Sequence, residues 1–245
     1  VTLADGEFIA ADSVVFNGDV SALTKGLLGD QVKRAAPALA PSKRSLSAVT
    51  WSVHAETEGF PLDRHNVFFQ NDYQSEFDDI FVRQRLPRTP TVYVCAQDRP
   101  MAAQPTTSER LFCLVNAPAQ GDQPESSEEL EQCESTSLQQ LSRLGLSMDN
   151  QIKVRSDPTQ FHRRFPASAG SLYGKATHGW MSIFARPGSQ TALPGLFLAG
   201  GGTHPGPGVP MTALSGMRAA EAVMASLAST RKFHPAATFG GMSTP

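Results

Sequence analysis

The stretch from Leu193 to Leu227 constrains this chain more than any other. Leu196, Phe197, Leu198 and Ala199 form a short unbroken apolar run with glycine on both sides, the pattern of a strand buried on both faces and so of a central strand rather than an edge. Gly200, Gly201 and Gly202, then Gly206 and Gly208, supply positions without a Cβ where backbone turns sharply or presses against a ligand. Pro205, Pro207 and Pro210 stiffen the same loop. After Pro210 the period becomes helical: Ala213, Met217, Ala220, Met224 and Leu227 fall on one face, Arg218, Glu221 and Ser229 on another. Strand, rigid glycine loop and helix in that order aim free N–H groups and the positive end of the helix at a bound anionic or electron-rich group. Gly216, inside the helix, costs about 1 kcal/mol against Ala and points to close packing on a neighbouring backbone or a cofactor. The same spacing also suits a tight βα turn in any α/β protein, because the loop lacks the G-x-G-x-x-G pattern of a dinucleotide fingerprint.

Taken as a whole, Leu193 to Met211 resembles the C-terminal flavin motif of bacterial carotenoid desaturases, the phytoene-desaturase-type, amine-oxidase-like flavoproteins. Gly170-Ser-Leu-Tyr-Gly-Lys-Ala-Thr-His-Gly-Trp and Phe184-Ala-Arg-Pro-Gly-Ser resemble the segment that leads into it. Within that group the resemblance is nearest to the hydroxyneurosporene (methoxyneurosporene) desaturases, specific across residues 161–228 and weaker but collinear from Val1 onward. It implies FAD as cofactor, held by Gly200, Gly201, Gly202, His204, Gly206, Gly208, Val209, Pro210, Met211 and Gly216. It also implies a carotenoid substrate dehydrogenated at an unactivated C–C bond, with hydride passing to flavin N5. No side chain accepts a hydride from such a bond, so the cofactor carries the reaction while the protein positions it.

A nearly featureless hydrocarbon is oriented by the shape of an apolar tunnel. Phe68, Phe69, Phe77 and Phe81 are the aromatic candidates for its wall, although phenylalanines at strand and helix spacing are more often plain core. Tyr173 and Trp180 suit packing on the flavin or filling an interface between lobes, and His178 and His204 suit hydrogen bonds to loop backbone or the ring system. Neither histidine reads as a metal ligand, since no H-x-x-x-H and no paired cysteine or carboxylate accompanies them. Asp19, Asp98 and Glu221 have no distinguishing context, so the sequence names no catalytic base.

Members of the resembled family open with a strand, G-x-G-x-x-G and a helix for the ADP part of FAD. This chain begins at Val1 in what resembles the middle of such a sequence, and is expected to correspond to a C-terminal half. Two readings therefore stand: a carotenoid desaturase or part of one, and a catalytically incompetent fragment or partner subunit that completes a flavin site supplied by another chain. A polyene isomerase or saturase of the same superfamily, using reduced FAD, is the neighbouring enzymatic alternative.

The implied fold is α/β: a partial Rossmann-like FAD-binding domain made of residues 1–28 and 161–230, an inserted α+β substrate lobe at 29–160, and a disordered tail at 231–245. With 245 residues, 40% of them hydrophobic, the chain can bury a sizeable core. A formal charge of −2 leaves no footprint for nucleic acid. Cys95, Cys113 and Cys133, odd in number and without C-x-x-C spacing, read as reduced cysteines of a cytoplasmic protein. No apolar run approaches the roughly 18 residues of a membrane span and Val1 begins no signal peptide, while attachment to a membrane surface stays open.

In order along the chain, Asp5-Gly6 predicts a hairpin feeding a buried strand from Ser13 to Phe16. The resemblance puts the following Asn17-Gly18-Asp19 near the cofactor; Asp19 equally suits the cap of a helix starting near Val20. Ala35 to Lys43, with Pro37 and Pro41, reads as a linker. Ser47, Val49, Trp51, Val53 and Ala55 alternate with Ala48, Thr50, Ser52 and His54, which predicts a half-buried strand with His54 on its polar side. Strands follow at Asn66–Gln70, Thr91–Ala96, Leu111–Val115, the last of these central, and Ile152–Val154. Tyr73, Phe77, Ile80 and Phe81 lie at helical spacing, with Glu76, Asp78 and Asp79 early and Arg83 and Arg85 late, as the helix dipole favours. A second helix runs from Glu125 to Leu146 with Leu130, Cys133, Ser137, Leu141 and Leu144 as its stripe, and Asp157-Pro158 starts a short third one.

Overall fold

The computed structural model of the chain describes residues 1–99, 108–123, 126–176 and 185–231. His178, Trp180, Phe184, Glu125 and the tail from Lys232 lie outside these residues.

At the start, Gly6 at φ +90° turns the hairpin, the Leu3 N–H donates to Glu7 O at 2.8 Å, and Thr2 bridges Phe8. Strand β1 (Val14–Phe16) follows, then helix α1 (Val20–Thr24), whose cap is Asp19: its carboxylate accepts from the Ser21 N–H at 2.8 Å. Short 3₁₀ turns at Asp30–Ala35 and Pro41–Lys43 lead into the larger sheet.

That sheet holds β2 (Ser47–Gly59), β3 (His65–Phe68), β4 (Val92–Ala96), β5 (Glu109–Ala117) and β6 (Leu146–Ser156) in the antiparallel order β3-β4-β5-β2-β6. Helix α2 (Tyr73–Phe77) runs on into a π turn at Asp78–Val82; α3 (Ser127–Arg143) opens with a Ser126/Glu129 capping box; α4 (Pro158–Arg164) is capped by Asp157. Leu130, Cys133 and Leu141 of α3 join Trp51, Val53, Val92, Val94, Leu111 and Cys113 of the sheet in one core. The Trp51 indole N–H donates to Glu134 Oε2 at 2.9 Å and pins the helix in place. β5 is central, as its unbroken apolar run predicts. β2 differs from expectation: Ala48 and Thr50 are buried along with Val49 and Trp51, because the chain at α4 contacts β2 from the other side. β6 is longer than its apolar run, since pairing with β2 past a bulge at His54/Ala55 recruits polar residues.

Three buried carboxylates hold this lobe. Glu109 takes a bidentate contact from Arg99, at 2.9 and 2.7 Å, inside the sheet. Burial pushes the Glu109 carboxyl up, and the bonds from Arg99 and Thr57 outweigh it, leaving it below the ordinary value of 4.5. Asp79 is likewise pushed up by burial and held down more strongly by Arg85, the Arg88 amide and Arg83. Glu76 accepts from the Thr91 N–H at 2.9 Å and Asn116 Nδ2 at 3.1 Å, fastening α2 to the sheet.

Strand β7 (Leu196–Leu198) pairs with β1 in parallel, Val14 opposite Leu196 and Phe16 opposite Leu198. Among the described residues it is not central in a broad sheet: β1 lies on one side, and on the other Gln190 bridges Phe197 while the Leu198 N–H donates to Ser189 O at 2.8 Å. Leu198 is still fully buried, in a small cluster with Leu23 and Ala35. Helix α5 (Val209–Arg231) closes the described chain. Its Met217 and Met224 are 61% and 71% exposed, so the apolar stripe read from the sequence faces outward. The buried positions are Ser215 and Ala219, whose small side chains let the helix approach β7 closely.

Replacing Arg99 by Met strands the Glu109 charge and is expected to cost about 3–5 kcal/mol, read as a lowered urea midpoint. Because the folded carboxyl titrates below its ordinary value, the stabilisation is complete above that value and lost as pH falls through the lower folded one. Urea midpoints measured against pH should therefore fall in acid for the natural chain. In R99M the fall should be shallower, Asp79 still contributing; an equal acid slope would contradict the assignment.

Candidate functional site

The parallel pair sets two turns side by side at the C-terminal ends of its strands, where α/β folds place ligands. The first is Asn17-Gly18-Asp19, leading into α1; the second is the glycine loop, leading into α5. Asn17 Nδ2 donates to Ala199 O at 3.1 Å and ties them together. A Cβ at Gly200 would lie 3.0 Å from that Asn17 nitrogen, and one at Gly202 would touch Val20 at 3.6 Å. Gly200, Gly206 and Gly208 have φ of +121°, +131° and +107°, a region closed to side chains. Ser215 locks the loop from below, its hydroxyl accepting from the Gly200 N–H and donating to Thr212 O, both at 2.8 Å. A cleft of about 90 Å³ opens here between Asp19, Val20 and Gly202 on one side and Gly174, Lys175 and Pro187 on another.

Beside it lies a larger apolar cavity of about 650 Å³. Leu46, Phe77 and Phe81 come from the large lobe, Tyr173 and Ala176 from the connecting segment and Pro207 from the glycine loop itself. Phe77 and Phe81 are stacked, with centroids 6.2 Å apart and planes at 8°. They continue outward through edge contacts to Tyr73 and Phe69, which are about half exposed. Phe68 is elsewhere, 3% exposed in the sheet core against Phe60, and Phe69 is on the surface; neither lines the cavity. Lys175 and Tyr173 are the titratable groups among its described lining residues.

The connecting segment is stitched to the large lobe. The Ser45 N–H donates to Gly174 O at 2.7 Å, the Tyr173 N–H to Ser45 Oγ at 3.0 Å, and the Ala176 N–H to Lys43 O at 2.9 Å. Arg186, which the sequence reading passed over, is 5% exposed behind the loop. Its Nη1 donates to Tyr173 O at 2.8 Å and Gly201 O at 3.2 Å, and its Nη2 to Lys175 O at 2.8 Å. Burial pulls the guanidinium below its ordinary pKa. The available signal was the Phe184-Ala-Arg-Pro-Gly segment, an arginine between apolar residues and Pro-Gly, which charge patterning alone assigns to the surface.

His204 sits in the loop, its backbone N–H donating to Pro187 O at 2.8 Å. Val209 and Met211 form the first turn of α5, where N–H groups have no intrahelical acceptor, and Pro210 between them has no N–H to satisfy. Gly216 contradicts one expectation: a Cβ there would meet nothing within 4 Å, so no neighbouring backbone packs on it. Among the described residues no cluster of histidine, cysteine or carboxylate could hold a metal, and no helix is long and apolar enough to cross a membrane. None of the three cysteines is in a disulfide, and burial pushes the Cys113 thiol up to about 12.

The sequence profile of the flavin containing amine oxidoreductases matches residues 1–224. The chain is 58% identical to hydroxyneurosporene desaturase of Rubrivivax gelatinosus, over 100% of its own length and 47% of the relative's. It is 46% identical to the hydroxyneurosporene desaturase of Cereibacter sphaeroides, over 94% and 46%. With 4,4'-diaponeurosporene oxygenase of Staphylococcus haemolyticus it shares 28% identity over 92% and 46%. The chain thus spans about half the length of the curated relatives it matches.

The cofactor that goes with this family is FAD. The residues present suit its flavin part: a backbone cradle that Cβ atoms would fill, a helix N-terminus, and the buried Thr203 hydroxyl, which has no partner among the described residues. Gly206→Ala should destabilise the chain by about 1–3 kcal/mol through its backbone conformation. Gly216→Ala should instead stabilise it by about 1 kcal/mol. Urea unfolding followed by helical circular dichroism distinguishes the two, and equal effects of the same sign would contradict the geometry.

Proposed function

We propose, since the chain belongs to the family of flavin containing amine oxidoreductases, that it forms the substrate-holding and flavin-capping part of an FAD-dependent carotenoid desaturase. The substrate class is a carotenoid intermediate such as hydroxyneurosporene. The observation that carries this reading is the juxtaposition of an apolar cavity and a glycine cradle sharing one wall, at Pro207.

FAD, when bound, supplies the two-electron acceptor that no side chain provides. Gly200, Gly201, Gly202, Gly206 and Gly208 let the backbone close on it, and the N–H groups of Val209 and Met211 face its electron-rich side. His204 and Gly216 belong to the same proposed set, Gly216 through the open space beside it. Leu46, Phe77 and Phe81 hold a hydrocarbon by shape and exclude water from the reacting bond. Tyr173 stands where cavity and loop meet; His178 and Trp180 enter the proposal from their place in the sequence alone. Peripheral contact with a membrane, where such a hydrocarbon dissolves, is part of the reading. It is supported by exposed Phe69, Tyr73 and Val82 on the aromatic run that leads inward.

A second reading, a partner subunit inactive by itself, is favoured by a specific observation. Exposed apolar side chains gather on the small sheet and its helices, with Val15 at 47%, Leu27 at 58% and Met224 at 71%. Both readings assign the rest of the cofactor site to the portion of the relatives' length outside the match.

The test is to titrate the chain with FAD, alone and with the separately produced N-terminal half of the Rubrivivax gelatinosus enzyme, then add hydroxyneurosporene without oxygen. Flavin binding by the pair, followed by bleaching of its absorbance, is the expected result. Binding without bleaching would leave the inactive partner or, if reduced FAD restores turnover, the isomerase or saturase. Absence of binding would contradict the flavin reading itself.

A further inference from the structure

The guanidinium of Arg186 is buried between two segments of the chain. Burying a cation costs several kcal/mol unless a counter-charge accompanies it, and among the described residues no carboxylate pairs with Arg186. Three backbone carbonyls take its place, on two different segments: Tyr173 and Lys175 on the wall of the cavity, Gly201 in the glycine loop. A planar fork spans acceptors in fixed directions, which an ammonium on a flexible stem does not. The loop is shaped around it: a Cβ at Gly206 would come within 3.2 Å of Arg186 Nε.

What the side chain adds can be separated from what keeps the segment folded. Residues 171–176 are already bound to the large lobe through Ser45, Leu46 and Lys43, by bonds that do not involve Arg186. The glycine loop is held independently by Ser215 and Asn17. Taking Arg186 away leaves both segments attached to their own lobes, and Gly174 still near Gly202, but removes the hydrogen-bonded bridge that the guanidinium makes between them. We propose that Arg186 is a positioning residue that fixes the cavity wall to the glycine loop, so that an elongated apolar substrate and the flavin meet in one register. This rests on the proposed function for the identity of the two occupants. Registration matters most for a substrate without polar handles, since a slip of about 1 Å along the chain can cost on the order of 100-fold in rate.

The experiment compares the natural chain, R186K and R186M, each joined to the N-terminal half described above. Hydrogen exchange is followed in the peptide covering residues 171–176, with and without FAD. In the natural pair, FAD should slow exchange there by about tenfold or more, because ordering of Gly201 is passed on through the guanidinium. In both variants FAD should still bind, yet the slowing should shrink to about twofold or less. Anaerobic flavin reduction by hydroxyneurosporene, counted per bound flavin, should fall by about 100-fold in R186M and less in R186K. Equal slowing of exchange in all three, or reduction rates within about twofold of one another, would overturn the proposal. If R186M does not assemble, R186K alone decides between these outcomes. A natural pair that takes up no FAD would instead overturn the functional reading on which the proposal stands.

Discussion

The candidate site depends on a parallel pairing of two strands only three residues long, Val14–Phe16 with Leu196–Leu198. Pairing of that length has little stability of its own. It is held by Leu23 and Ala35 packed with Leu198, and by α5, where Ser215 and Ala219 are buried. Parallel direction is what matters functionally, because it brings both strand ends, and so both turns, to one edge. Asn17 and Gly200 then meet closely, and the φ of +121° at Gly200 favours glycine there. An antiparallel pair would have sent the two turns to opposite ends and left no cradle.

The two lobes treat buried charge differently. In the large lobe Arg99 meets Glu109 and Asp79 is held by Arg83 and Arg85, while Glu76 is held by the Thr91 amide and Asn116. At the junction Arg186 faces carbonyl dipoles alone, and the Thr203 hydroxyl has no partner among the described residues.

Local chemistry made much of this legible in the sequence. The Asp5-Gly6 hairpin, the caps at Asp19 and Asp157, the central strand at Leu111–Val115 and the stripe of α3 from Leu130 to Leu141, though not the exposed Leu144 beyond its end, each rest on residues within one element. What escaped depends on residues distant in the chain. The double burial of β2 comes from α4, about a hundred positions later, and the narrow setting of β7 from the strand at Val14. The apolar stripe of α5 was visible, but its direction is decided by Ser215, whose value lies in a hydrogen bond to Gly200. At the site the glycine loop declared itself. Phe77 and Phe81 were indistinguishable from Phe68 until α2 was anchored by Glu76, and Arg186 carried no local sign of burial.

On the proposed reading the cavity beside the cradle holds the substrate while the cradle holds the cofactor. One measurement separates the two roles: flavin binding and anaerobic flavin reduction by hydroxyneurosporene in Ala176→Trp, a change that fills the cavity from the connecting segment. The account predicts that FAD still binds within about twofold of the natural affinity while reduction falls by about 100-fold or more. Reduction at the natural rate with the cavity filled would contradict it.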